Sequence, residues 1–332
     1  MSRPTILNQL GAAVGRAVAA HASAPAVLDL PPGPAPWLAA NDRPAALDDA
    51  EILLSGPHPA WADAPSLAPP GWPGRLRWVQ SSSTGVDWTP PWLRTGTPVL
   101  TCGRGHHARQ IAEYVLGAVL DRDLGLAQRS VRSREAWLAG MGSAGGGRRV
   151  FGRRLGLAGF GSIGREVASR ARAFGLEVRA WKRRPWAPGA AEAAGVVPVD
   201  SLSALAGAVD HLVLALPLTQ HTRDCVDAAV LAQARPGLHL INIARGALVD
   251  QAALLAALDS GRVGFATLDV TEPEPLPEAH PFFSHQRVRL TPHIAWGGDP
   301  DRTRLVQQIH ANLDAFLAGD SLRDVVDPAR GY

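Results

Sequence analysis

The stretch Leu155-Gly156-Leu157-Ala158-Gly159-Phe160-Gly161-Ser162-Ile163-Gly164 decides the fold, because an apolar run ends there in glycines spaced G-x-G-x-x-G. A helical pattern follows directly, in Arg165-Glu166-Val167-Ala168. This order predicts a strand, a tight turn and a helix whose N-terminal N–H groups and positive dipole end can hold a pyrophosphate. We therefore predict a dinucleotide site that includes Gly159, Gly161, Ser162, Ile163 and Gly164. The alternative is a glycine-rich loop without a ligand, since the chain contains 34 glycines.

Strands and helices alternate regularly from this turn onward. The predicted strands are Leu155–Ala158, Glu177–Trp181, His211–Leu216, Leu238–Ile243, Val263–Leu268 and Val288–Leu290. The predicted helices between them are Gly164–Phe174, Ser201–Ala208, Ala228–Ala234 and Gln251–Asp259. Alternation at this spacing is typical of an α/β fold with a parallel, doubly wound sheet of the Rossmann type.

The residues before about position 102 predict a second, smaller α/β unit. Short apolar runs alternate there with turns rich in proline and glycine, and the candidate strands are Thr5–Leu7, Ala26–Leu28, Ile52–Leu54, Leu76–Gln80 and Pro98–Thr101. Helical patterns cover Ala12–Ala22, His107–Arg129 and Arg302–Leu317. A length of 332 residues also agrees with about two domains.

Composition and charge argue against several classes of protein. Hydrophobic residues make up 46% of the chain, but no apolar run approaches the roughly 20 residues that span a bilayer, so we expect no membrane partner. The alanine-rich segment Gly11–Ala24 is interrupted by Arg16 and His21. We interpret it as an amphipathic helix, with a signal peptide as the alternative. The net charge is only +3, without a basic tract among aromatic residues, which argues against nucleic acid as a partner.

The two cysteines indicate a reducing compartment. Cys102 and Cys225 are too few for a disulfide framework or a metal cluster, so we predict a cytoplasmic protein without a metal site. We interpret both as small buried hydrophobic residues rather than as nucleophiles.

The chemistry is expected beyond the carboxyl ends of the strands, where open parallel sheets bind their ligands. The glycine turn follows the first predicted strand of the larger sheet. The next five strands are followed by Lys182-Arg183-Arg184, Pro217, Ala244-Arg245, Asp269 with Glu272 and Glu274, and His293. One arginine, several carboxylates and one histidine therefore converge on one edge, beside the predicted dinucleotide. Taken singly, each also fits a structural role, as a surface charge, a solvated acidic turn or a polar strand end.

The residue types at this edge suit redox chemistry on a small acid. Arg245 is permanently charged, and its planar fork fits the carboxylate and carbonyl oxygen of a 2-oxo acid. His293 is the residue type that gives or takes a proton near neutral pH, so it can serve the substrate oxygen. A carboxylate beside that ring would favour its protonated form. The nicotinamide of the dinucleotide would carry the hydride.

The sequence resembles the D-isomer-specific 2-hydroxyacid dehydrogenase family over nearly the whole chain, most strongly from Gly152 to His293. The matching motifs are the glycine turn, Ile241-Asn242-Ile243-Ala244-Arg245-Gly246, Leu268-Asp269-Val270-Thr271-Glu272-Pro273-Glu274-Pro275 and Leu290-Thr291-Pro292-His293. The basic loop followed by a tryptophan is similar to the glyoxylate/hydroxypyruvate reductase branch of the family.

The resemblance implies catalytic roles for Arg245, Glu274 and His293. Glu274 is favoured over Glu272 because the family's glutamate follows the aspartate at the strand end by five residues, and that aspartate is Asp269 here. Asp269 is expected to face the nicotinamide carboxamide. Other residues that we assign to cofactor binding are Pro217 and Ala244. Backbone N–H groups of Thr84 and Gly85 are expected to bind the substrate carboxylate.

The resemblance also implies how the chain is divided. A smaller, flavodoxin-like substrate domain would consist of residues 1–103 plus 299–332. The dinucleotide-binding domain, residues 104–298, would be inserted into it. Family members commonly dimerise through the cofactor domain, so we predict a homodimer with His107–Arg129 as the interacting arm.

The residue after the second strand of the larger sheet predicts the cofactor. Members that prefer NAD place an acidic residue there to bind the ribose 2′-hydroxyl. The corresponding position, 23 residues after Gly159, is Lys182, followed by Arg183 and Arg184. Three cations would attract a 2′-phosphate, so we predict that NADP(H) is preferred and NAD(H) remains possible. The alternative is a solvated loop without influence on the cofactor.

The sequence as a whole predicts an NADP-preferring reductase that converts small 2-oxo acids, such as glyoxylate or hydroxypyruvate, to D-2-hydroxy acids. Trp296, three residues after His293, is a candidate wall of the substrate pocket, with simple packing as the alternative. Two other functions remain open. One is an NADP(H)-binding sensor of the same fold without turnover, and the other is a dehydrogenase of another small anion such as formate or phosphite. Glu274 argues against the formate branch, whose members lack that glutamate.

Overall fold

The fold is described from a computed structural model, which covers residues 3–31, 49–58, 61, 64–68, 70–141, 148–298 and 302–331. The chain forms two compact units. The first consists of Met1–His106 and Asp299–Tyr332, and the second is His107–Gly298.

Each unit contains one parallel β-sheet. The strands of the first unit are β1 (Thr5–Asn8), β2 (Ala26–Asp29), β3 (Ile52–Ser55), β4 (Trp78–Ser81) and β5 (Val99–Thr101), in the order β2-β1-β3-β4-β5. Those of the second unit are β6 (Arg154–Ala158), β7 (Glu177–Trp181), β8 (Val197–Pro198), β9 (His211–Leu214), β10 (Leu238–Asn242), β11 (Val263–Leu268) and β12 (Val288–Leu290). Their order is β12-β11-β10-β9-β6-β7-β8.

The described helices connect these strands. They are α1 (Ala12–Ala19), α2 (Ala108–Leu124), α3 (Leu126–Arg129), α4 (Arg134–Gly140), α5 (Ser162–Ala173), α6 (Ala190–Ala193), α7 (Leu202–Ala208), α8 (Ala228–Gln233), α9 (Gln251–Asp259) and α10 (Thr303–Ala318). The predicted fold class, a doubly wound Rossmann sheet together with a smaller flavodoxin-like unit, is confirmed. The strand order of the first unit is the flavodoxin-like one.

The strand order of the larger sheet locates its ligand site. The chain starts at the central strand β6, proceeds to one edge through β7 and β8, and then returns to β9 on the other side of β6. The connections therefore reverse direction between β6 and β9. In doubly wound sheets the crevice at this reversal, outside the carboxyl ends of the strands, binds the ligand.

Apolar helices cover both faces of the larger sheet. Helices α7, α8 and α9 pack on one face, with Leu205, Leu231 and Leu254 almost fully buried. Helices α2 and α5 pack on the other, with Val119 and Val167 fully buried. Because both faces are covered, the strands are continuous apolar runs, as expected of a parallel sheet.

Several helix starts coincide with polar capping residues. The side chains of Ser201, Asp227 and Asp250 accept hydrogen bonds from the first-turn N–H groups of α7, α8 and α9. Ser201 therefore caps α7 rather than belonging to it, so the predicted helix is one residue too long at that end.

The predicted arm His107–Arg129 is two helices rather than one. Gly125 adopts a left-handed conformation, with φ of +61°, and separates α2 from α3. The short elements β8, α4 and α6 were not predicted. Each has at most seven residues, too few for a periodic apolar pattern to appear.

The first unit uses both ends of the chain. Helices α1 and α10 cover one face of its sheet, where Val14 and Leu305 pack beside the fully buried Trp78. The other face is filled by tryptophans, among them Trp61 and Trp92. The segment interpreted as an amphipathic helix is thus α1, and its apolar side is part of this core. Among the described residues, no helix has the length and apolar character needed to cross a membrane.

A chain of polar side chains is buried at the amino ends of β9 and β10. Asp123 of α2 contacts His211 Nε2 at 3.1 Å, and the Nδ1 atoms of His211 and His239 lie 3.1 Å apart. His239 Nε2 lies 2.9 Å from Thr267 Oγ1. Burial, and after it the neighbouring His211, lowers the pKa of His239 well below the ordinary histidine value.

This histidine predicts acid sensitivity of the fold. His239 stays neutral when folded but gains a proton near its ordinary pKa, about 6.5, when unfolded. The contribution of His239 to the free energy of unfolding is therefore present above about pH 6.5. It is lost as the pH falls below that value, by at most about 1.4 kcal/mol per pH unit. Urea unfolding from pH 7.5 to 5 should show a smaller decrease in stability for His239→Gln than for the wild type. The exposed His221→Gln serves as control, and equal slopes for His239→Gln and wild type would contradict the prediction.

A second prediction concerns the turn after β10, where backbone meets backbone. A Cβ at Gly246 would overlap the peptide group that joins Thr271 and Glu272, in the turn after β11. Gly246→Ala should force these turns apart and lower the free energy of unfolding by about 1–3 kcal/mol or more. Gly117→Ala is the matched control, since a Cβ there meets no described atom within 4 Å inside α2. That control should be neutral or stabilising in thermal unfolding.

Candidate active site

The glycine turn joins β6 to α5 and leaves its backbone accessible. Gly159 has φ of +102°, and a Cβ there would overlap the carbonyl oxygen of Ala215 after β9. A Cβ at Gly164 would lie 2.7 Å from the carbonyl oxygen of Gly159, so this glycine lets α5 pack on the turn. Gly161 is different, since a Cβ there meets no described atom within 4 Å. The missing side chain therefore leaves open space over the backbone, which fits the close approach of a pyrophosphate.

The helix that follows is suited to an anion. Helix α5 begins at Ser162, and the first backbone hydrogen bond across its start runs from Arg165 N–H to the carbonyl oxygen of Gly161, at 3.1 Å. The N–H groups of Ser162, Ile163 and Gly164 precede that bond and have no partner within the helix. These residues therefore fit the dinucleotide predicted from the motif.

The basic loop begins directly beside this turn. The Gly159 N–H donates to the carbonyl oxygen of Trp181, the last residue of β7, at 2.8 Å. Lys182 follows and is half-buried, whereas Arg183 and Arg184 are exposed. The loop therefore begins beside the first glycine, and its first three residues are basic.

The turn that carries Arg245 is held by a buried asparagine. The Asn242 side-chain amide donates to the Arg245 carbonyl oxygen at 2.8 Å, and its oxygen accepts from the Ala244 N–H at 3.1 Å. The Arg245 guanidinium is half-buried and donates from Nη1 to the Ala244 carbonyl oxygen at 2.6 Å. Since Gly246 packs on the turn after β11, Arg245 is held close to the acidic segment that contains Glu274.

His293 and Glu274 form a hydrogen-bonded pair. His293 Nδ1 lies 2.9 Å from Glu274 Oε1, and the two side chains are 41% and 39% exposed. A carboxylate only accepts, so we assign the proton of Nδ1 to this bond. Among the described residues, nothing is bonded to His293 Nε2, which leaves that atom available to a ligand. Within the described ranges Glu272 makes no such pair, and its backbone carbonyl accepts from the side chain of Gln251.

The turn that carries His293 is built around a buried carboxylate. His293 has φ of +53°, which is uncommon outside glycine, and its N–H points back to the carbonyl oxygens of Asp269 and Thr291 at 2.9 Å each. The Asp269 carboxylate accepts from the N–H groups of Ile294 and Ala295 at 2.8 Å each. A conformation of this kind costs about 1–3 kcal/mol and persists only where the surrounding structure enforces it. The carboxylate provides that enforcement.

Helix α2 supports the same carboxylate through two hydroxyl groups. Thr291 Oγ1 donates to Asp269 Oδ1 at 2.6 Å, and Tyr114 Oη lies 2.6 Å from Thr291 Oγ1. Since the threonine hydrogen is used toward Asp269, the tyrosine must be the donor of the second bond. Burial raises the pKa of Tyr114, which keeps this phenol protonated and able to donate.

The Thr84–Gly85 turn belongs to the first unit. The Thr84 hydroxyl donates to the carbonyl oxygen of Gly103 at 3.1 Å, and the Gly85 carbonyl oxygen accepts from Trp88 Nε1 at 2.9 Å. The backbone N–H groups of Thr84 and Gly85 donate to nothing in the described part of the chain. The turn is thus fixed by its carbonyl and hydroxyl groups, and its N–H groups remain available to an anion.

Four other residues interpreted from the sequence have surroundings that the structure describes. The Pro217 carbonyl oxygen after β9 accepts from the Thr222 hydroxyl at 2.7 Å. The Trp296 ring is 51% exposed, and its centroid lies 5.5 Å from that of His107. Cys102 is buried and Cys225 half-buried. Burial raises the pKa of both thiols, that of Cys225 to about 11, which fits the interpretation as inert residues. No cluster of possible metal ligands occurs among the described residues.

Sequence reasoning missed the residues that fix the turns carrying Arg245 and His293. Asn242 and Thr291 lie within the quoted motifs, but a motif names neighbours along the chain and not hydrogen bonds. Tyr114 carries no signal at all, because it precedes Thr291 by 177 residues. Gly246 had a readable signal, as a glycine next to a candidate functional residue indicates close backbone approach.

Comparison with known proteins identifies the family. A sequence profile of the D-isomer specific 2-hydroxyacid dehydrogenase NAD-binding domain matches residues 115–295. The glyoxylate/hydroxypyruvate reductase A of Serratia proteamaculans is 33% identical over 312 residues, which cover 89% of this chain and 90% of that protein. The protein of the same name from Yersinia enterocolitica is 39% identical over 179 residues, 54% of this chain and 56% of that protein.

Solved structures agree with these relatives. A D-isomer specific 2-hydroxyacid dehydrogenase from Xanthobacter autotrophicus, in complex with NADPH and MES, has a TM-score of 0.76 at 28% identity, with 100% of both chains covered. An NADPH-dependent glyoxylate/hydroxypyruvate reductase from Sinorhizobium meliloti, in complex with NADP and sulfate, has a TM-score of 0.72 at 25% identity, again with 100% of both chains covered. The resemblance seen in the sequence, including that to the glyoxylate/hydroxypyruvate reductase branch, is confirmed. The chain belongs to the D-isomer specific 2-hydroxyacid dehydrogenase family of NAD(P)-dependent oxidoreductases.

Proposed function

We propose that this protein reduces small 2-oxo acids of the glyoxylate and hydroxypyruvate class to D-2-hydroxy acids, with NADPH preferred over NADH. The observation that carries the proposal is the His293–Glu274 pair, at 2.9 Å, on the sheet edge that also holds Arg245 and the glycine turn. The names of the Serratia, Yersinia and Sinorhizobium relatives support the substrate class. The NADPH and NADP of the two solved relatives support the cofactor.

His293 is the proposed general acid in the reduction. When bound, the nicotinamide supplies the hydride that the substrate carbonyl carbon receives. His293 then donates the proton of Nε2 to the carbonyl oxygen, on which negative charge develops. Glu274 holds the ring through Nδ1 and compensates the positive charge of the protonated imidazole before transfer.

Arg245 is the proposed anchor of the substrate. Its guanidinium offers parallel N–H donors that match a carboxylate or the adjacent carbonyl oxygen of a 2-oxo acid. The hydrogen bond from the Asn242 side chain and the close packing of Gly246 limit the motion of the Arg245 backbone. The backbone N–H groups of Thr84 and Gly85, which donate to none of the described residues, are suited to the substrate carboxylate. Asp269 remains the proposed partner of the nicotinamide carboxamide.

The basic loop is the proposed determinant of cofactor preference. Lys182, Arg183 and Arg184 follow the strand next to the glycine turn, where an acidic residue would instead bind a ribose 2′-hydroxyl. Pro217 and Ala244, which follow β9 and β10, are proposed to line the rest of the cofactor site.

We also propose that the protein is a homodimer that uses the arm His107–Arg129, which contains α2 and α3. The Leu126 side chain of α3 is 64% exposed. A partner subunit would cover such an apolar group.

Removal of the proposed acid should abolish most of the activity. We expect His293→Ala to lower kcat for glyoxylate or hydroxypyruvate by about 10²–10⁴-fold, which is the usual contribution of a general acid. Glu274→Gln should lower it less, because the ring remains but loses its compensating charge. The rate is followed by NADPH absorbance in a panel that includes pyruvate and bulkier 2-oxo acids.

The chain offers a matched control for this test. His285 Nε2 also pairs with a carboxylate, Asp259 Oδ1, at 3.3 Å, and His285→Ala should leave kcat unchanged. Near-wild-type turnover of His293→Ala would contradict the mechanism. Tight NADPH binding by the wild type without turnover of any 2-oxo acid would favour a sensor of the same fold.

The cofactor preference is tested by the ratio of kcat/KM for NADPH to that for NADH. We expect this ratio to exceed about 10 in the wild type, since a 2′-phosphate gains charge-assisted bonds that each contribute about 1.5–3 kcal/mol. The double variant Lys182→Asp, Arg183→Ala should lose the preference because its kcat/KM for NADPH falls. The variant Arg134→Ala, at an exposed arginine of α4, should retain the preference. Equal ratios for wild type and double variant would show that the loop does not select the cofactor.

A further inference from the structure

Three side chains contact one another in a row between the basic loop and the glycine turn. The Lys182 ammonium lies 4.4 Å from the ring centroid of Trp186, within cation–π distance. The Trp186 ring in turn lies 4.9 Å from the ring of Phe160, at an interplanar angle of 49°. Phe160 stands between Gly159 and Gly161 in the turn itself. Trp186 therefore links the only lysine of the chain to the backbone that is expected to meet the pyrophosphate.

This row of side chains is anchored and is not a loose surface contact. Trp186 and Phe160 are half-buried and pack against the apolar core between the sheet and helices α2 and α5. The loop begins at Trp181, whose carbonyl oxygen accepts from the Gly159 N–H at 2.8 Å. Both ends of the segment from Trp181 to Trp186 are thus attached to the glycine turn, with Lys182 between them.

This arrangement restrains the lysine without neutralising it. A lysine has a long, flexible stem, and ordering it costs conformational entropy when it binds a ligand. An aromatic ring restricts the ammonium but contributes no negative charge. Within the described residues, no carboxylate pairs with Lys182, so its charge remains available to an anion.

We propose that Trp186 is a positioning residue for cofactor selection, holding the Lys182 ammonium beside the glycine turn for the 2′-phosphate of an NADP-type nucleotide. The inference rests on the proposed preference for NADPH. Trp186 acts through Lys182 and not through the adenine, so it affects the two cofactors unequally.

The test measures dissociation constants of NADPH and NADH by calorimetry, without a substrate. Trp186→Leu should raise the dissociation constant of NADPH about two- to fivefold, as expected of one lost cation–π contact. The dissociation constant of NADH should stay unchanged within experimental error. Trp186→Phe and Trp186→Tyr should restore most of the preference, since each keeps an aromatic face. Trp137→Leu, at an exposed tryptophan of α4, is the matched control and should change neither constant.

A double-mutant cycle separates positioning from packing. In a Lys182→Gln background, Trp186→Leu should produce no further change in the ratio of the two dissociation constants. Equal weakening of NADPH and NADH would overturn the proposal and indicate contact with the adenine or general loosening of the loop. An unchanged ratio in Trp186→Leu, or additive effects in the cycle, would also overturn it.

These outcomes remain distinct from failure of the proposed function. A wild type that binds both cofactors equally contradicts the NADPH preference, and the role of Trp186 falls with it. A wild type that prefers NADPH, combined with an unchanged Trp186→Leu, contradicts only the role of Trp186.

Discussion

Direct contact between backbones at the carboxyl edge of the larger sheet is the constraint on which the candidate site depends. A side chain at Gly159 would overlap the turn after β9, and one at Gly246 would overlap the turn after β11. Because these positions lack a Cβ, the turns after neighbouring parallel strands lie close enough to place their polar groups together. The glycine turn after β6 and the turn that carries Arg245 thus depend on the same close packing of backbone on backbone.

The buried carboxylate of Asp269 solves a second problem at this edge. A buried charge is costly unless it is hydrogen-bonded, and Asp269 accepts from two backbone N–H groups and one hydroxyl. Those bonds also enforce the left-handed conformation of His293. The same hydrogen bonds therefore stabilise the buried carboxylate of Asp269 and fix the backbone of His293, the proposed general acid. Glu274, which is half-exposed, can then contact the ring without being buried itself.

The two ends of the larger sheet use buried polar groups differently. At the carboxyl ends, Asp269 and Asn242 organise turns that face the proposed ligands. At the amino ends, Asp123, His211 and His239 join α2 to the strands and face no expected ligand. Helix α2 takes part in both, through Tyr114 and Asp123. It contributes to the support of the site as well as to the stability of the sheet.

The sequence by itself determined the class of the fold and which polar residues follow each strand of the larger sheet. Apolar runs of strand length, glycine spacing and capping residues are local signals, and because parallel strands end on one side, the order of polar residues after them predicts which ones meet. Helix boundaries differ from the prediction where one residue sets them, since Ser201 caps α7 and Gly125 ends α2. The resemblance to the family favours Glu274 over Glu272, and the structure pairs Glu274 with His293. Only the tertiary structure decided that Tyr114 reaches Asp269 through Thr291 and that the Lys182 ammonium lies against the ring of Trp186. The physical reason is that such contacts join residues far apart in the chain or depend on side-chain direction, neither of which leaves a periodic or spacing signal in the sequence.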